Sequence, residues 1–493
     1  MKMVNLLLLV FLATPSYQRE LIQLGLEITG LEINACKGDD VLSCVLAHVD
    51  LSALDDDILV LPRGVEVTKK NDIPTAMSRT DLRYLAKSVA YFGNGSEAVF
   101  SIRGDRIIGN VEFEDGTDFV LEPCGNFPGC HVWKEEDTVH MEEGEGEEVP
   151  LEMRSTKLTS DRAVNKFRQQ GIDDDTTIVE YSVKLYYTKE FAAATDDIEL
   201  YMDQVIAETN QGYINSNIPI RVKIFCIEAT TLNDETESAT LFTKFANYKG
   251  SSEALLGSAD AAALLFIKAS SCGRGYLDSW KFGRTITIQA KGCALGYYTM
   301  GHELAHNFGS THDREHASAN RYYSYGHGSY IEPRYRTIMA YNKNGHNTRV
   351  NYYSSPTVYF QGSVTGSDTE DTARVIKENR FGFAAVGDES ETCGSTATTS
   401  TPVTTNAPVS KLGKCRGLNT LYTGGDKISK SKVKNDKICK SNCVGELSCT
   451  HWIFYQNKYP KKNLRKRCVL MAGEIKEVIK TKKAVSGAIE KCE

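Results

Sequence analysis

Apolar and polar positions along the chain change their period around Thr176. Ile178 to Tyr187 alternates and is rich in β-branched and aromatic residues, the pattern of a strand. Asp196 to Tyr213 places Ile198, Met202, Val205 and Ile206 at helical spacing. Ile218 to Ile227 reads as a second strand, and Ala261 to Ile267 is a short, wholly apolar run suited to a buried one. Strand, helix, strand in this order predicts a twisted sheet with helices packed on it, a mixed α/β domain. Upstream, Ala98 to Ile102 and Asp118 to Leu121 are strand-like, and Glu142 to Glu148 is an acidic run that reads as a solvated loop. Between Thr392 and Val409 the chain is dominated by Thr, Ser, Ala and Pro. Such a stretch cannot bury enough apolar surface to pack, so it predicts a linker or an O-glycosylated stalk.

Length and composition add the setting. A chain of 493 residues predicts two to four domains. Met1-Lys2-Met3 followed by the apolar Leu6 to Ala13 and small residues near Ser16 has the form of a secretory signal peptide. As a membrane anchor the run is less than half of the ~20 residues needed to span a bilayer. Fourteen cysteines without paired zinc-binding spacings fit an oxidising compartment, and the even number permits complete pairing. Charge is segregated: residues 411–493 hold 20 basic against 7 acidic side chains, while the whole chain carries −7. The basic end suits an acidic glycan or an acidic protein surface, or is a solvated lysine-rich face. For a secreted chain nucleic acid is not an expected partner, and no membrane span is expected.

The chemistry concentrates in His302-Glu303-Leu304-Ala305-His306-Asn307-Phe308-Gly309-Ser310-Thr311-His312. Histidines four apart share one face of a helix. A catalytic zinc takes three protein ligands and keeps a fourth position open. Glu303, between the two histidines, is placed to take a proton from a metal-bound water. Gly309 permits the left-handed dihedrals that end a helix and turn the chain, bringing His312 round as third ligand. A bare His-Glu-x-x-His also occurs on ordinary surface helices, but five defined residues over eleven positions make this pattern far more specific.

The extended motif resembles that of the metzincin metalloproteases. Asp313 after the third histidine is similar to the adamalysin/reprolysin branch, which includes the ADAM and snake-venom enzymes. Thr337-Ile338-Met339-Ala340-Tyr341 is similar to its methionine turn, which implies Met339 as a packed floor beneath the metal. Arg349 to Pro356, with Gly362 and Gly366, resembles the stretch that follows, and Asp371 to Arg380 its C-terminal helix. The resemblance covers about 176 to 390 and implies an α/β (α+β) metzincin catalytic domain, Zn2+ as cofactor and protein substrates. Tyr341 departs from the ADAM pattern: its placement is that of a switchable fifth metal ligand in astacins and serralysins, the alternative being a tyrosine packed in the pocket wall. His316, His327 and His346 read as solvated.

Phe119 to Cys124, then His131-Val132-Trp133, looks like the end of an ADAM-type prodomain, which implies a mostly β propeptide. Cys124 is either a cysteine switch or the partner of Cys130, six residues on. By proximity Cys36 and Cys44 pair, Cys272 pairs with Cys293, and Cys226–Cys393 follows by elimination. No strong dibasic cleavage site lies between Arg154 and Arg168. Asn94-Gly95-Ser96 is an N-glycosylation acceptor. Cys415, Cys439, Cys443, Cys449, Cys468 and Cys492 have the order of a PAN/Apple domain, a small disulfide-rich module. That resemblance implies the pairs Cys415–Cys492, Cys439–Cys468 and Cys443–Cys449. The expected organisation is a signal peptide 1–17, propeptide 18–172, protease domain 173–390, linker 391–413 and PAN/Apple-like domain 414–493. The expected function is a secreted zinc metalloendopeptidase made as a zymogen. An extracellular binding protein on an inactive protease scaffold is the alternative from another class, and a small-substrate amidase a third.

Overall fold

A computed structural model of the chain describes residues 21–27, 41–73, 86–124, 130–136, 147–149, 176–268, 270–317, 322–343, 348–388, 417–423, 426–432, 439, 451–456, 465–472 and 477–488. The expected signal peptide and linker, His346 and the cysteines Cys36, Cys393, Cys415, Cys443, Cys449 and Cys492 lie outside them. The chain forms two compact units, the second holding residues 417–488. No helix among the described residues is long and apolar enough to cross a membrane.

In the first unit a nine-stranded antiparallel sheet occupies residues 22–136, with the order Ile22–Glu27, Val41–Val49, His131–Glu136, Asp118–Pro123, Arg106–Glu112, Ser96–Arg103, Lys87–Gly93, Val65–Ile73, Ile58–Leu61. One of its faces has its own apolar cluster, including Val89, Tyr91, Phe100, Val111, Leu121 and Trp133. The second, six-stranded sheet runs Glu147–Val149, Gly273–Tyr276, Ile286–Ala290, Ala261–Phe266, Val179–Tyr187, Ile220–Ala229. Its last four strands are mutually parallel, whereas Gly273–Tyr276 is antiparallel to Ile286–Ala290 and Glu147–Val149 runs with Gly273–Tyr276. Strands expected from the alternation at 178–187 and 218–227 therefore form here, side by side.

The acidic run expected to be a solvated loop is corrected in part. Glu147–Val149 is a strand, paired in parallel with Arg274, Gly275 and Tyr276. An edge strand offers unpaired backbone groups, and main-chain pairing is indifferent to charged side chains that point away from it.

The helix Ile198–Asn215 starts at the N-cap Asp197, whose carboxylate accepts from Leu200 N at 3.0 Å. Its apolar stripe packs into a cluster with Val183, Leu185, Ala263, Leu304 and Met339. The opposite face is polar by sequence, yet Gln204, Glu208, Gln211 and Asn215 are all buried there. Their spacing of 4, 3 and 4 puts them on one stripe, and the nine-stranded sheet covers it. Gln204 donates to Val99 O at 2.9 Å, Asn71 donates to Gln211 at 3.1 Å, and Asn215 donates to Glu97 at 3.3 Å. Thus a helix that reads as amphipathic is sandwiched, its polar side facing a polar patch of the N-terminal sheet.

The second unit is a five-stranded antiparallel sheet, Gly417–Thr423, Glu477–Ala488, His451–Tyr455, Arg467–Ala472, Asp426–Lys432. Trp452, Phe454 and Leu470 are buried in it, and Cys439 is bonded to Cys468, one of the pairs the Apple resemblance implies.

Candidate metal centre

Helix Thr299–Phe308 carries His302 and His306 one turn apart. It stops at Gly309, which adopts φ 109° and returns its N–H to Ala305 O and His306 O. A Cβ at Gly309 would stand 2.7 Å from the Tyr323 ring, so both dihedral and space select glycine. After this turn His312 comes back to the helix. Nε2 of His302 lies 3.1 Å from that of His306 and 3.2 Å from that of His312, and the last pair is 3.0 Å apart.

The outer nitrogens explain the orientation. Nδ1 of His302 is 2.8 Å from Ile338 O, and Nδ1 of His306 is 2.9 Å from Ser310 O. A carbonyl only accepts, so the proton sits on Nδ1 and the Nε2 lone pair turns inward. Burial holds His302 and His312 well below the usual histidine range, and the charges of His306 and Arg349 add to this. Neutral imidazoles whose acceptor nitrogens converge within a few ångströms fit a shared metal ion, and this is the cluster among the described residues able to hold one.

Glu303 is fully buried on the same helix. Its carboxylate lies against the strand Gly273–Tyr276: a Cβ on Gly273 would be 2.6 Å from Oε1, and one on Gly275 would be 3.1 Å from Oε2. Gly273-Arg274-Gly275 is thus a gap cut for this side chain, a role not apparent from the sequence. The bond Cys272–Cys293 anchors the approach to that strand, with Cα atoms 5.5 Å apart.

Met339 is completely buried, and Gly328 packs so closely on it that a Cβ would meet the Met339 carbonyl carbon at 2.4 Å. Asp313 stabilises the return loop: Oδ1 accepts from Glu315 N at 3.1 Å and Oδ2 from Tyr341 N at 3.0 Å. The Tyr341 ring lies 4.2 Å from that of His312, centroid to centroid.

One expectation changes. His327 is buried, not solvated; its Nδ1 lies 3.0 Å from His312 O and 3.1 Å from Thr311 Oγ1. The turn that returns His312 exposes a backbone acceptor, and an imidazole from a distant loop meets it. His316 is exposed, as expected, with its Nδ1 3.0 Å from Asp313 Oδ1. Cys124 is bonded to Cys130, so of the two alternatives this structure holds the disulfide and the switch thiol is absent. Asn94 is exposed at the turn between Lys87–Gly93 and Ser96–Arg103, at φ 49°.

The segment entering the histidine helix is gripped by the N-terminal sheet and by the helix Ile198–Asn215. Tyr298 donates to Glu112 Oε2 at 3.0 Å, and Gly296 N donates to Glu208 at 2.9 Å. Glu97 and Glu112 are cross-strand neighbours. Burial pushes Glu112 up to about 7, against the bond from Tyr298, and burial with the nearby Glu112 charge raises Glu97 well above the usual range. Glu122 is the contrast: burial works against its charge, but Lys134 and Lys291 hold it down at about 2.

Fold and site together define a metallopeptidase. The model of metallo-peptidase family M12 (Reprolysin_5) matches residues 179–354. A peptidyl-Asp metalloendopeptidase of Pseudomonas fragi is 33% identical over 180 residues, which cover 36% of this chain and 99% of that protein. One from Stenotrophomonas maltophilia (strain K279a) is 27% identical over 308 residues, covering 59% and 70% respectively. Metalloproteinase-II from Bacteroides fragilis aligns with 65% of this chain and 90% of its own, at 10% identity and a TM-score of 0.34, a faint likeness only. The chain belongs to metallopeptidase family M12 and is a metalloendopeptidase.

Proposed function

We propose that this chain is a secreted zinc endopeptidase, made as a zymogen, that cuts extracellular proteins at bonds beside aspartyl residues. The observation that carries the reading is the convergence of three neutral imidazoles, within 3.0–3.2 Å of one another, next to the buried Glu303. In this proposal His302, His306 and His312 hold Zn2+, an all-nitrogen donor set of the size catalytic zinc takes. Bound zinc supplies Lewis acidity and a water acidified towards a pKa of ~7. Glu303 takes the proton of the attacking water and returns it to the leaving amine, a step worth about 10²–10⁴-fold. Its burial against Gly273 and Gly275 keeps it aimed and dry. Met339 serves as the packed floor, with Tyr341 either a fifth ligand or the pocket wall. Preference for aspartyl bonds follows the peptidyl-Asp relatives. Asp313 and the methionine turn support placement in the reprolysin branch.

The zymogen reading is supported by the contact between the N-terminal sheet and the helix Ile198–Asn215. Partners meant to part bury polar surface, whereas permanent ones bury apolar surface. Here the covered stripe is Gln204, Glu208, Gln211 and Asn215, beside apolar contacts of Ile73, Ala90 and Val99 with Ala207, so release of residues 18–172 would expose a largely polar helix face. Secretion rests on the N-terminal sequence and the disulfides. The 414–493 module is read as PAN/Apple-like, its basic surplus suiting an acidic glycan or protein. Asn94 is exposed, as a glycosylation acceptor must be.

The test is cleavage of a denatured protein substrate by the purified chain, with and without EDTA, followed by mapping of the new termini. Expected are chelator-sensitive cuts, restored by zinc, with Asp beside the scissile bond. Cleavage indifferent to chelator would contradict the reading.

A further inference from the structure

Two of the three imidazoles have their outer nitrogen fixed by a carbonyl, that of Ile338 or of Ser310. The third is served by a turn of its own. Burial and the charges of His306 and Arg349 push His312 well below the usual histidine range, and a hydrogen bond to the backbone of His316 works against them. A bond that favours the protonated ring is one to an acceptor, so the partner is the His316 carbonyl. Four residues past the last histidine, the chain thus turns back to hold the ring it has just presented.

The turn from Asp313 to His316 lies at the surface, with Arg314, Glu315 and His316 exposed, yet each of them is tied down. Arg314 donates to Thr369 O at 2.6 Å, and Glu315 pairs with Lys343. The backbone N–H groups of His316 and Ala317 donate to Asp313 O at 3.1 and 2.9 Å. The His316 side chain closes the turn, its Nδ1 standing 3.0 Å from each oxygen of the buried Asp313 carboxylate. An ionised carboxylate only accepts, so Nδ1 carries the proton and donates. The same ring lies 5.0 Å from that of Tyr341, which in turn lies 4.2 Å from that of His312, centroid to centroid. Exposed ion pairs and hydrogen bonds add little to global stability. Their concentration on one turn is explained by what that turn positions.

We infer that His316 is a positioning residue of the metal centre: its hydrogen bond to Asp313 locks the turn whose carbonyl orients the His312 imidazole. This rests on the proposed zinc site. A group that holds the outer nitrogen of a metal-binding imidazole fixes both its tautomer and its direction. The contact of the His316 ring with Tyr341 adds packing without direction, so the N–H group is the part that matters.

The test is zinc affinity, measured by chelator competition on the full chain and on its His316→Ala, His316→Phe and His316→Asn variants. Asn carries an N–H donor near the place of Nδ1, whereas Phe keeps a ring without one. A loss of about 10–100-fold is expected in the Ala and Phe variants, largely restored in the Asn variant. The visible bands of the cobalt(II)-loaded proteins should divide in the same way, displaced with Ala and Phe and unmoved with Asn. A wild-type chain that binds no zinc overturns the metal site itself and this inference with it. With zinc bound by wild type, unaltered affinity in the Ala and Phe variants overturns the inference alone, as does a loss with Asn equal to that with Ala. Because His316 is exposed, the metal-free proteins are expected to melt together. A lower midpoint confined to the Ala and Phe variants would assign the effect to folding and overturn the positioning role.

Discussion

The residues of the metal centre, His302, Glu303, His306 and His312, come from eleven consecutive positions, whereas Glu97, Glu112 and Glu208 come from two strands and a helix and together span more than a hundred positions. Both regions bury ionisable groups at the surface of the same helical layer, and both shift their protonation. In the first, fixed Nδ1–H bonds to carbonyls leave neutral imidazoles facing one another, an arrangement a cation completes. In the second, carboxylates are forced together where ionising one raises the cost of ionising the next, an arrangement that protons complete. The difference teaches that a short chain segment can encode a rigid site, while a contact assembled across the chain can remain conditional on its environment.

Removing one element of the centre has the largest expected effect. His306→Ala should lose bound metal and bring cleavage to background, with the secondary structure retained. Full activity with normal metal content would end the comparison, because the triad would then not be a functional unit.

The carboxylate contact answers to pH. Glu112 is raised in the folded chain from 4.5 to about 7. The folded state therefore binds its proton more tightly than the unfolded one does. The associated stability is complete below pH 4.5 and is lost as pH rises through about 7, a change of roughly 3 kcal/mol. Glu97, Asp118, Glu208 and Tyr298 share its surroundings and Lys70 reaches Glu97, so the loss belongs to the cluster. Amide exchange in Arg106–Glu112, corrected for intrinsic rates, should show protection falling between pH 5 and pH 8. In Glu112→Gln that fall should be much smaller; an unchanged pH dependence would remove the carboxylate from the explanation. Glu122 behaves oppositely, its contribution being present above pH 4.5 and lost only as pH falls through about 2.

His327→Ala tests how far the local site depends on a distant loop. Loss of the support to His312 O is expected to weaken metal affinity about 10–100-fold, the usual scale for groups that hold metal ligands. Titration with a competing chelator measures it, and unaltered affinity would restrict the centre to its own eleven residues. The smallest change is Asn71→Ala, which removes a hydrogen bond to Gln211 and should lower stability by about 1 kcal/mol, seen as reduced protection of Val65–Ile73.

Legibility in the sequence followed the same division. His302, His306, Gly309 and His312 could be placed because helical period and one glycine dihedral determine their geometry. The helix at 198–215 and the strands at 179–187 and 220–229 were readable from their periods for the same reason. Burial of Gln204, Glu208, Gln211 and Asn215 was not, since a polar stripe reads as solvent-facing whether water or another polar surface meets it. The strand Glu147–Val149 was hidden because edge pairing uses backbone groups, which leave no trace in side-chain pattern. His327 acquires its surroundings from a turn whose course no local period specifies.

The most direct test of the central claim, that this is a metal-dependent peptidase with Glu303 as its base, is Glu303→Ala examined for metal content and cleavage together. The prediction is one bound zinc per chain with activity reduced by about 10²–10⁴-fold or more. Near-normal cleavage by a metal-replete variant would contradict it.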